Sequence, residues 1–155
     1  MPADAPLDDA HRRPPGASDE LVEATGKVSE ALEWVERARG HLYEIHQLVG
    51  HADGLFGEAA DALEAAGAGA QADLLRREVV GRNVLEGRWT FQVVEEFDDG
   101  YYAAARAAEA QIRDELMAGR RHVFEAEMKE RRRTQGHPDH TATPEAQPSS
   151  SADGS

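Results

Sequence analysis

From Val28 onward, apolar residues recur in alternating steps of three and four: Val28, Ala31, Val35, Ala38, Leu42, Ile45 and Val49. That spacing marks one stripe of an α-helix and matches three heptads of a helix-pairing seam. A helix start at Ser18 fits, with Asp19 and Glu20 placing negative charge at the positive helix end. Gly50 suits the residue just past the end. At about 1.5 Å per residue, helix 18–49 reaches about 48 Å, long enough to ask for a bundle or coiled-coil partner. Asp53 then offers a cap for a second helix carrying Leu55, Phe56, Ala59, Leu63 and Ala66, ended by Gly67-Ala68-Gly69. A third helix starts near Ala70 and turns Leu74, Leu75 and Val79 to one side. Gly81 and Gly87 weaken its continuation by about 1 kcal/mol each, and Asn83 offers a second cap, so one bent helix and two separate ones both remain open.

The densest apolar stretch is 83–102, which holds Trp89, Phe91, Phe97, Tyr101 and Tyr102. At 100° per residue, Leu85, Trp89, Val93 and Phe97 cover one side while Val84, Phe91 and Val94 cover another. A helix apolar on most of its circumference is expected to be buried at the centre of a helical domain. The rival is a strand, because Trp89, Phe91 and Val93 also alternate and Asp98-Asp99-Gly100 resembles a hairpin turn. A strand there has no convincing partner, so the helix is preferred and Asp98-Asp99 is read as the start of the last helix. That helix spans about Gly100 to Arg133, with Tyr101, Ala105, Ala108, Ile112, Leu116, Gly119, Val123 and Ala126 on one face. The expected fold is all-α, an antiparallel bundle of about four helices.

Composition sets the boundaries. All seven prolines lie outside residues 17–136, as long helices require. Residues 1–17 and 135–155 are rich in Pro, Ser, Asp and Gly and are expected to be disordered tails around a domain at 18–134. The net charge is −13; the tails hold four of those charges. An acidic domain is a poor match for nucleic acid or an anionic membrane. The basic run Lys129 to Arg133 is read as complementing the helix dipole. There is no cysteine, no secretory leader pattern and no apolar run near 18 residues, so the expected location is cytoplasmic.

Phosphate loops, nucleophile elbows, zinc-finger spacings and dinucleotide fingerprints are all missing from the sequence. Asp98-Asp99-Gly100 lacks the further ligands of a calcium loop. What remains is histidine and carboxylate. Di-iron and di-manganese bundles use a Glu followed three residues later by His. Here the order is reversed twice, in His41-Leu42-Tyr43-Glu44 and His122-Val123-Phe124-Glu125. His41 and His122 lie about 95° and 80° from their helices' apolar centres, which favours surface ion pairs over metal ligation. His46 is better placed, about 45° from its centre, and Glu86 and Glu96 fall on the apolar side of the central segment. A buried carboxylate needs a partner. Arg39 or His122 would provide a structural one, while iron, manganese or zinc held with His46, or an acid–base pair of Glu86 and His46 in a small hydrolase, are the chemical alternatives.

The run from Gly87 to Tyr102, with His41-Leu42-Tyr43-Glu44 upstream, resembles an uncharacterised family of small helical proteins from high-GC actinobacteria. The resemblance covers about residues 18–134 and implies no activity, cofactor or partner. Two functions remain on sequence grounds. The first is a non-enzymatic cytoplasmic helical protein that self-associates or binds a protein partner. The alternative is a metal-carboxylate bundle for oxidase, storage or sensing work, resting on His46, Glu86 and Glu96 with His41 or His122.

Overall fold

The computed structural model describes residues 6–143. It is all-α: α1 Asp19–Ala65, α2 Gly69–Glu78, α3 Thr90–Phe97, a π-helical turn Asp98–Tyr102, α4 Ala103–Met117 and α5 Val123–Arg132. Because α3, the π turn and α4 follow without a break, the described residues form four helical rods. None of these helices is long and apolar enough to cross a membrane.

The first helix is longer than its sequence suggests. It runs through Gly50, Gly54 and Gly57 to Ala65, merging the expected first and second helices. Each interior glycine costs only about 1 kcal/mol, and no proline interrupts the chain. Asp53 is therefore not a cap; its carboxylate instead accepts from the Gly81 N–H at 2.7 Å. The stop at Gly67 is as expected. Gly67 takes φ 83°, its N–H donates to the Glu64 carbonyl at 3.0 Å, and the Ala68 N–H reaches the Leu63 carbonyl at 2.8 Å, which is a Schellman closure.

Residues 31–107 form one compact unit. Within it three side chains of α1, seven residues apart, tie down the returning chain: Arg39 to Asp98, His46 to Thr90 and Asp53 to Gly81. Seven residues is two helical turns, and the partners descend in number as α1 ascends, so the return is antiparallel. Val35, Leu42 and Val49, interleaved on the same side, are half-buried. The question of one bent helix or two is settled as two: α2 ends at Glu78 and α3 starts at Thr90. Gly81 and Gly87 adopt φ 73° and 68° in between. Leu85 and Arg88 exchange backbone hydrogen bonds across Glu86-Gly87, so the expected helix over 83–89 is a tight turn. The strand alternative survives only as this isolated bridge. The helix begins where Gln92 Oε1 accepts from the Trp89 N–H at 2.8 Å, closing back on the first turn. The central segment is also less buried than expected. Thr90, Val94 and Tyr102 are buried, whereas Leu85, Phe91 and Tyr101 are exposed.

Among the described residues, 6–30 and 108–143 make the second unit. Its core joins Val22, Met117 and Val123, with Ala17, Leu21 and Phe124 packed against them. The expected unbroken helix to Arg133 is interrupted here. Ala118, Gly119 and His122 take φ 52°, 74° and 54°, and the Gly119 carbonyl accepts from Arg113 Nη1 at 2.8 Å. Gly119 is a hinge between α4 and α5, not part of an apolar face. Residues 6–17 carry no helix, but Arg13 grips Glu127 with two hydrogen bonds of 2.7 Å. Residues 1–5 and 144–155 of the expected tails lie outside the described residues.

Candidate functional site

The π turn organises the polar chemistry of the 31–107 unit. An i→i+5 turn brings residues five apart into register, and Phe97 and Tyr102 accordingly stack with ring centroids 6.3 Å apart and planes 15° from parallel. Arg39 donates from Nε to Asp98 Oδ1 at 2.7 Å and from Nη2 to Oδ2 at 3.1 Å. The same guanidinium lies 4.7 Å from the Tyr102 ring centroid and 5.0 Å from that of Tyr43. Tyr102 in turn donates its hydroxyl to Glu36 Oε1 at 2.7 Å, and Arg106 lies 5.4 Å from its ring. The hydrogen bonds from Arg39 hold the Asp98 carboxyl below its ordinary range. Donation to the Glu36 carboxylate pushes the Tyr102 phenol up. At neutral pH the cluster is a locked network of two carboxylates, an arginine and a protonated tyrosine. Its chemistry is clamping.

The five residues singled out from sequence take separate partners. His46 Nδ1 is 2.7 Å from Thr90 Oγ1, where Thr90 is buried. Glu96 is held by Arg88 rather than by Arg39 or His122. Glu86 is exposed on the turn before α3, because the chain there is not helical. His41 sits 3.3 Å from Glu44, both side chains mostly exposed, and His122 lies 3.9 Å from Glu125, as the angular positions of these pairs suggest. Among the described residues there is no group of three or more His, Cys, Asp or Glu side chains that could hold a metal ion.

Sequence reasoning missed Arg39, Asp98, Glu36 and Tyr102 as a group. A signal was present: Arg39, His46 and Asp53 share a seven-residue period, one step round the helix from Val35, Leu42 and Val49. Polar residues recurring beside a seam are the ones placed to tie the neighbouring chain.

Two features face outward. One is an open, mainly apolar cleft of about 370 Å³ between Val49, Phe56, Val79, Val84 and Trp89. The other is the outer face of α1. Trp34, Ile45, Leu48 and Leu55 are 60%, 54%, 60% and 50% exposed. Scattered exposed apolar residues are ordinary, but these four repeat at helical spacing. The expected seam has split in two: Val35, Leu42 and Val49 turn inward, while Ala38 and Ile45 join this outer stripe. No family model, curated protein or solved structure matches this chain.

Proposed function

We propose that this chain is a non-enzymatic cytoplasmic interaction module, whose working surface is the outer face of α1. The observation that carries it is the row of Trp34, Ile45, Leu48 and Leu55, each at least half exposed on a helix already anchored on its other side. Exposed apolar patches larger than a monomer usually carries mark interaction sites. Covering each half-exposed side chain is worth on the order of 1 kcal/mol. The locked Arg39–Asp98–Tyr102–Glu36 network supports this reading, since it fixes the inner face of α1 and leaves the outer face presented. A photo-crosslinking amino acid at Leu48 tests it in living cells. Adducts heavier than the single chain, with none from a control position at the exposed Glu95, support the module. No adduct from Leu48, Ile45 or Leu55 overturns it.

A further inference from the structure

The outer stripe of α1 is a heptad of its own. Trp34, His41, Leu48 and Leu55 fall seven apart, and Ala38, Ile45, Ala52 and Ala59 fill the positions between them in steps of four and three. All are exposed except the half-buried Ala52. One flank of this seam is charged or polar at every repeat: Arg37, Glu44, His51 and Glu58. The other flank is apolar at every repeat, with Val35, Leu42, Val49 and Phe56. That asymmetry constrains what can pack here.

We infer that the stripe pairs with the same stripe of a second copy of this chain, antiparallel, about a two-fold axis passing between His46 and Gln47. This rests on the reading of α1 as an interaction face, and it names the partner. In this register Ile45 meets Leu48 of the second copy, Ala38 meets its Leu55, His41 meets its Ala52 and Trp34 meets its Ala59. Outside the central Ile45–Leu48 layer, each large side chain faces an alanine, the size alternation that lets two helices interdigitate at native density. Charges also match. The charged flanks of antiparallel helices face one another, which sets Arg37 against Glu58 of the second copy and Glu44 against its His51. On the other flank Val35, Leu42 and Val49 are half-buried against the chain's own return, so the charged flank and the seam itself carry the pairing. A parallel pairing does the opposite on every count. It stacks tryptophan on tryptophan and alanine on alanine, and it lays Arg37 and Glu44 against the apolar flank. In the free chain the Arg37 guanidinium lies over the Trp34 ring at 4.5 Å, placing this cation at the seam's edge.

The chain has no native cysteine, so engineered thiols report only on each other. The full chain carrying Ala38→Cys and Leu55→Cys is oxidised mildly and its linked peptides are mapped. The two positions are about 25 Å apart along one helix, too far to link within a chain. Links joining 38 to 55 between chains are expected; links joining 38 to 38 and 55 to 55 overturn the arrangement. In the cysteine-free chain, Arg37→Glu and Glu58→Arg each weaken self-association about tenfold by turning two attractions into repulsions. The double exchange is expected to recover to within about threefold of the original. A double variant weaker than either single one overturns the register. Leu48 photo-adducts that contain only a different protein overturn self-pairing while leaving the interaction module standing.

Discussion

Arg39 and Asp98 are joined by a two-pronged hydrogen bond, 2.7 and 3.1 Å, between the middle of α1 and the first residue of the π turn. Both side chains keep 30% and 25% of their exposure, so the pair is reachable by solvent and titrates. Its bond holds the Asp98 carboxyl below the ordinary value of about 3.9. A carboxyl with a depressed native pKa stabilises the fold above its unfolded value and loses that contribution as pH falls through the native one. Asp98→Asn is therefore expected to lower the thermal midpoint at pH 7. The gap from the parent chain should stay constant down to about pH 5 and shrink below about pH 4. Melting curves from pH 3 to 7 check this, and a gap that widens in acid contradicts it.

Glycines of α1 separate packing from propensity. A Cβ on Gly26 would come within 3.0 Å of Phe124 Cβ, an atom next to the backbone of α5, while one on Gly40 meets nothing within 4 Å. Gly40→Ala is expected to stabilise the chain by about 0.5–1 kcal/mol. Gly26→Ala has the same helical gain but must push α5 aside, at a cost of about 1–3 kcal/mol. The expected net is a loss of about 1 kcal/mol, measured by urea unfolding.

Met117 is buried to 2% exposure and packs with Val22 and Val123. Met117→Ala is expected to cost about 2–5 kcal/mol. Since Arg39, His46 and Asp53 lie in the other unit, hydrogen exchange should rise first among amides of 108–132. Equal loss of protection in both units would show that they unfold together.

Much of this fold was legible in the sequence, and the misses share a cause. The all-α class and the stop at Gly67 followed from proline placement and periodicity. Gly50 was misjudged because a glycine ends a helix only where the backbone turns left-handed, and tertiary ties carry α1 past it. At Gly119 the reverse held: the residue fits an apolar face by spacing, yet adopts φ 74°. The π turn has no sequence signature beyond Asp98-Asp99-Gly100. It displaces later residues by one position, which is why Tyr102 rather than Tyr101 turns inward. For the candidate site, spacing placed His46 inward correctly. It could not show that Glu86 lies in a turn and is exposed. The outer stripe was half visible through Ala38 and Ile45, but separating two adjacent seams on one helix required knowing which was already covered.

Sedimentation equilibrium of the full chain across a concentration series decides whether α1 pairs with a second copy. A mass approaching twice the 16.9 kDa of one chain is expected as concentration rises through the micromolar range. Ile45→Glu with Leu48→Glu, two side chains exposed enough that the helix itself is undisturbed, is expected to return the chain to the single-chain mass. A parent chain that stays at 16.9 kDa at every concentration, or a double variant that still associates, contradicts this pairing.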